Sequence, residues 1–178
     1  MDVSMNPHSP RAGRSWSRLV MFWVLSCILL GTGVGIAPAR AQSNFNELAG
    51  GWSGAGTMKP SDGARERVRC KINYVPKKEG QSLKMEVRCA SDAYKMNLSA
   101  NIDQEGSAIS GDWFESEYRQ GGKVSGQSSE GLIEAKVESQ TVVASLTVRT
   151  KGNRQSFEME APGLWVSEVQ IDLVRDAR

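Results

Sequence analysis

The sequence predicts an all-β protein, an up-and-down antiparallel meander closed into a barrel of eight to ten strands. Three observations predict it. Apolar residues recur at every second position in run after run. Turn-forming pairs separate most of the runs at intervals of about 9–14 residues. No stretch beyond residue 42 carries a helical apolar stripe of comparable strength. At 178 residues, 39% hydrophobic and 24% charged, the chain suits one domain and excludes collagen-like, coiled-coil and fully disordered classes.

The amino-terminal segment reads as an address. Arg11, Arg14 and Arg18 precede an apolar run from Leu19 to Ile36, and Ala39-Arg40-Ala41 follows. A basic stretch, an apolar stretch and an A-x-A site make a secretory signal peptide. Cleavage between Ala41 and Gln42 then divides the chain into a signal at 1–41 and a single barrel domain at 42–178. An uncleaved anchor, or lipidation at Cys27, fits less well because glycines dilute the run and apolar sequence continues past the cysteine. Export predicts a periplasmic or secreted protein that meets the membrane only through the signal before cleavage.

Removing the signal changes the charge. Of 22 basic and 20 acidic residues, Arg11, Arg14, Arg18, Arg40 and Asp2 leave with it, so 18 face 19. A near-neutral domain does not suit general nucleic-acid binding. The only histidine, His8, also leaves.

The strands follow in order, the first starting near Gly51. Val68, Cys70, Ile72 and Tyr74 alternate with Arg67, Arg69, Lys71 and Asn73. Leu83, Met85, Val87 and Cys89 alternate with Lys84, Glu86 and Arg88. Tyr94, Met96, Leu98, Ala100 and Ile102 form the next apolar face. Ile109, Gly111 and Trp113 follow, then Val142 to Val148, Phe157 and Met159, and Val169, Ile171 and Leu173. Turns fall at Glu79-Gly80, Ser91-Asp92, Glu105-Gly106, Gly121-Gly122, Glu130-Gly131, Gly152-Asn153 and Pro162-Gly163. With no helix to cover the apolar face, an open sheet leaves it wet and leaves two edges free. Closure removes both problems.

The cysteines fix one register. Pairing Pro76 with Leu83 sets Tyr74 against Met85, Ile72 against Val87 and Cys70 against Cys89. Both thiols share the apolar face, and directly opposite positions lie within disulfide reach. In an exported chain these two cysteines predict one bond. It closes a loop worth about 3 kcal/mol in the chain-entropy account.

Near its start the expected mature chain carries Leu48-Ala49-Gly50-Gly51-Trp52, and near its end Ile171-Asp172-Leu173-Val174-Arg175. A G-x-W on the first strand and an arginine on the last resemble the calycin superfamily of lipocalins, fatty-acid-binding proteins and avidins. The resemblance implies that Trp52 packs across the closed barrel end and that Arg175 covers it, both in structural roles. A guanidinium stacks well on an indole while bonding free carbonyls. G-x-W recurs at Gly111-Asp112-Trp113 and Gly163-Leu164-Trp165. Without a helix after the barrel or a helical lid, avidin-like or small lipocalin-like secreted barrels fit best. The pattern also resembles short exported bacterial proteins.

Two places invite a site. After Trp113 the inward parity delivers Glu115 and Glu117, so either a bulge inverts the strand or two carboxylates enter the barrel mouth. Without a bulge, Trp113, Glu115 and Gln155 make a ligand wall with a polar anchor. The outward Arg67, Arg69, Lys71, Arg88 and Lys95 form a basic stripe. It suits a solvated wall offset by Glu66, Glu86 and Asp92, or a surface for an anionic polymer or lipid headgroup. Met85, Met96 and Met159 read as core filler.

The mature sequence has no histidine, its thiols are bonded, and no phosphate-loop or calcium-loop pattern occurs. No metal and no cofactor is therefore expected, and no enzyme. The expected function is an exported binding protein that takes a small apolar or amphipathic ligand in the lumen. The alternative is a protein- or envelope-binding module, inhibitor-like, that uses the loops or the outer wall.

Overall fold

The computed structural model describes residues 44–177. The expected signal and its cleavage point at Ala41 and Gln42 lie outside them. Ten strands run in sequence order: β1 (Gly50–Pro60), β2 (Glu66–Lys77), β3 (Ser82–Ala90), β4 (Lys95–Glu105), β5 (Ala108–Glu115), β6 (Gln120–Ser129), β7 (Leu132–Glu138), β8 (Val143–Lys151), β9 (Arg154–Glu160) and β10 (Val166–Arg175). Each pairs antiparallel with the next, and β1 pairs with β10 to close the barrel. The expected all-β closed antiparallel meander is what forms, at the upper end of the expected strand count.

The period-two pattern decides which face is inside. On β2, Val68, Cys70, Ile72 and Tyr74 are buried while Arg67, Arg69, Lys71 and Asn73 are exposed. The expected register also holds: Pro76 faces Leu83, Ile72 faces Val87, and Cys70 faces Cys89. The two cysteines are joined, a bond that suits an oxidising compartment.

One turn is misplaced by the sequence reading. Gly121 and Gly122 lie inside β6, and the chain turns at 116–119 instead. The reason is steric. Gly122 faces Trp113 across the β5–β6 ladder, and a Cβ on Gly122 would meet the Glu138 carbonyl oxygen at 1.8 Å. These glycines serve close strand approach, not a reversal of the chain.

Because successive strands alternate in direction, the connections sort to two ends. One end is closed. A one-turn 3-10 helix (Phe45–Leu48) packs there, with Phe45, Leu48, Trp52 and Leu173 all buried. The Trp52 indole donates to the Leu48 carbonyl at 2.8 Å. The Arg175 guanidinium lies 4.2 Å from the Trp52 ring centroid and donates to the carbonyls of Glu47 and Ala49. Those carbonyls belong to chain entering the barrel, so one cation satisfies acceptors that no strand reaches.

Tyr74 is buried on the inward face of β2. Its hydroxyl donates to Gln155 Oε1 at 2.9 Å, and Gln155 Nε2 donates to Thr150 Oγ1 at 2.9 Å. Burial pushes the Tyr74 phenol well above its ordinary 10.0, and the Gln155 bond opposes this in part. The unfolded chain thus releases this proton near pH 10, while the folded protein keeps it. Stability is full below that pH and falls as pH rises past it, at up to about 1.4 kcal/mol per pH unit. Urea midpoints measured between about pH 8 and about pH 11 should show this fall, and Tyr74→Phe should flatten it. An unchanged slope in Tyr74→Phe would assign the effect elsewhere.

Candidate functional site

The barrel interior is not filled. Met85, Met96, Leu98, Leu146, Phe157 and Met159 all have inward parity, yet none is fully buried. They retain exposure because they border a lumen cavity of about 250 Å³. Its wall is almost wholly aliphatic, thioether and aromatic, and Ile72, Tyr74 and Leu83 line it on β2 and β3. Ala135 and Ala144, on β7 and β8, supply the small side chains that leave the space. The three methionines are therefore wall, not filler. A flexible thioether wall adapts to the shape of what it contacts.

The opposite end from Trp52 is the mouth. Connections 61–65, 91–94, 116–119, 139–142 and 161–165 gather there, as strand alternation requires. Three of them carry an aromatic residue that lines the cavity: Tyr94, Tyr118 and Trp165. The Tyr94 and Trp165 ring centroids are 4.8 Å apart, and those of Tyr118 and Trp165 are 5.3 Å apart, both pairs tilted. Trp165 and Tyr118 are each 45% exposed, so the cluster is a rim and not a core. Sequence reasoning missed all three as site residues. A usable signal existed, since every second connection of a meander shares one barrel end.

The structure separates the expected ligand wall. Trp113 lines the cavity, and its indole N–H is buried without a partner among the described residues. Glu115 also borders the cavity, but its carboxylate is occupied. Oε1 accepts from the backbone N–H groups of Asn97 at 2.8 Å and Glu117 at 3.1 Å, and Oε2 accepts from that of Tyr118 at 2.6 Å. Gln155 is not among the cavity-lining residues, because its amide is committed to Tyr74 and Thr150.

No bulge turns β5. Its ladders with β4 and β6 run unbroken through Trp113 to Glu115. Glu117, beyond the strand end, is exposed and accepts from Asn97 Nδ2 at 2.5 Å. The two carboxylates thus part company: Glu115 is an internal clamp, and Glu117 is an outer neighbour of Asn97. Trp52 and Arg175 sit at the closed end, outside the cavity wall.

The fold is similar to that of two solved structures. One is Rv2717c from M. tuberculosis, with TM-score 0.57 and 14% identity over 74% of this chain and 94% of that one. The other is the S-type phycobiliprotein lyase CPES from Guillardia theta, with TM-score 0.50 and 14% identity over 75% of this chain and 91% of that one. The likeness at that identity is one of fold. No protein-family model and no curated protein matches the sequence.

The comparison corrects one expectation. The missing histidine and the missing nucleophile–base pair led to the reading that this is not an enzyme. A barrel of the same architecture is a lyase by name, so that exclusion is withdrawn.

Glu115 generates a prediction. Glu115→Leu leaves three backbone N–H groups, two in the mouth loop and one on β4, without their acceptor, which should cost about 2–3 kcal/mol in chemical denaturation. Glu115→Gln, which keeps one oxygen, should cost less. Equal stability of Glu115→Leu and the parent protein would show that the loop does not depend on the clamp.

Proposed function

We propose that this protein binds a small apolar or amphipathic ligand in the barrel lumen, entering through the aromatic mouth. The unfilled lumen carries this reading. Inward side chains such as Leu98, Leu146 and Met159 stop short of meeting, and an apolar cavity of this kind gains free energy when an apolar guest removes its wall from contact with water. Trp113, Met85 and Met96 form the proposed wall, and Tyr94, Tyr118 and Trp165 form the portal. Glu115 acts here through the portal loop rather than as an anchor. A ligand that carries a hydrogen-bond acceptor would also relieve the unpaired Trp113 indole N–H. The fold likeness to a phycobiliprotein lyase is compatible with a barrel that holds a small molecule. The Cys70–Cys89 bond, together with the signal-like amino terminus, supports a periplasmic or secreted location.

The test uses the neutral fluorophore N-phenyl-1-naphthylamine. Its emission should rise on binding and saturate at one equivalent. Leu146→Trp, which fills the lumen, should weaken binding by about tenfold or more while the far-ultraviolet spectrum stays unchanged. Trp113→Ala should also weaken it. No saturable enhancement, or binding that survives Leu146→Trp intact, would refute lumen binding.

A further inference from the structure

The outer wall of β2 and β3 carries a feature that the lumen does not use. Arg67, Arg69 and Lys71 alternate outward along β2, Arg88 stands directly opposite Lys71 on β3, and Lys95 begins β4 opposite Ala90. All five are exposed, and among the described residues none forms an ion pair. The positions paired with these cations on the flanking strands are neutral: Ser53, Ala55 and Thr57 on β1, and Asn97 on β4.

The acids expected to offset this stripe do so only in part. Glu66 has the inward parity of Val68 and faces Met58. Glu86 is bridged to Lys84 at 2.9 Å and feels the Arg88 charge more weakly. Asp92 lies on the 91–94 mouth connection and, with Glu117, borders the same small recess as Lys95, so it offsets that one cation and not the four along β2 and β3. Like charges directly opposite in an antiparallel pair oppose folding. The Lys71–Arg88 pair therefore weakens the sheet locally, and an anionic partner would reverse the sign of that effect.

We propose that this wall docks the barrel, mouth rim first, onto an anionic phospholipid surface. The stripe reaches the mouth through Lys95, and the adjoining Tyr94 packs on Trp165, which in turn packs on Tyr118. Cations beside exposed tryptophan and tyrosine match the headgroup layer, where the ring takes the apolar boundary and the cation takes the phosphate. A long polyanion fits less well, because it wraps several faces and the domain beyond residue 41 is near neutral overall. A flat membrane meets the basic wall and the rim next to it, and leaves the other faces in water. Docking this way also turns the mouth toward the bilayer, although the proposal does not depend on occupancy of the lumen.

The experiment is flotation of the purified protein with vesicles of phosphatidylcholine, with and without phosphatidylglycerol. Binding should require phosphatidylglycerol and weaken with salt. Arg69→Glu combined with Arg88→Glu should lower partitioning by about tenfold or more. Its melting temperature and its N-phenyl-1-naphthylamine binding should match the parent, which separates this proposal from the lumen reading. Trp165→Ser should lower the binding that remains at high salt. Three results overturn the proposal: no preference for phosphatidylglycerol, partitioning unchanged in the double charge reversal, or arginine-dependent binding to heparin or an oligonucleotide without binding to vesicles.

Discussion

Closure of β1 onto β10 is the constraint on which the rest of the molecule depends. Nine residue pairs join these strands, from Trp52 with Arg175 to Pro60 with Val166. Without that seam, the inward apolar set has no opposite wall, and two strand edges stand open to other chains. The seam also makes the two ends unequal. Trp52, Phe45 and Leu48 seal one end under the Arg175 guanidinium, so the lumen opens only at the other. Gly56 shows how tightly the seam is drawn, since a Cβ there would sit 1.8 Å from the Gln170 carbonyl oxygen.

Around the seam, two further constraints hold the mouth half of the barrel. The Cys70–Cys89 bond ties β2 to β3, and Glu115 ties the 116–119 connection to β4 through the Asn97 backbone. Both sit on inward positions, where a polar or sulfur group replaces an apolar one. The rim aromatics therefore stand on a braced frame. A pocket whose walls are held in place loses less entropy when it binds.

The sequence disclosed the fold through redundancy. Alternation, turn spacing and the facing cysteines each imply the same register on β2 and β3, so an error in one is caught by the others. The site was less legible because its determinants are relations between distant strands. Trp113 was found from its parity, but the role of Glu115 depends on backbone N–H groups of Asn97 and Tyr118, which no local pattern reveals. Gln155 looked like a wall residue because it points inward. Its partners Tyr74 and Thr150 are what remove it. Gly121-Gly122 looked like a turn because glycine serves close strand approach as readily as chain reversal. The exclusion of catalysis rested on absent residue types, whereas function is argued from a site, and a protein of similar fold is a lyase by name.

The basic stripe was legible in composition but not in its balance. Only the paired strands show that Glu66 turns inward and that Glu86 is bridged to Lys84, so that none of the five cations forms an ion pair among the described residues. The most direct test of a one-ended lumen is methyl nuclear magnetic resonance during titration with N-phenyl-1-naphthylamine. The methyl signals of Met85, Met96 and Met159 should move together and saturate, while those of Leu48 and Leu173 at the sealed end stay fixed. Movement of the sealed-end methyls, or saturable binding that leaves all three methionines unmoved, would contradict it.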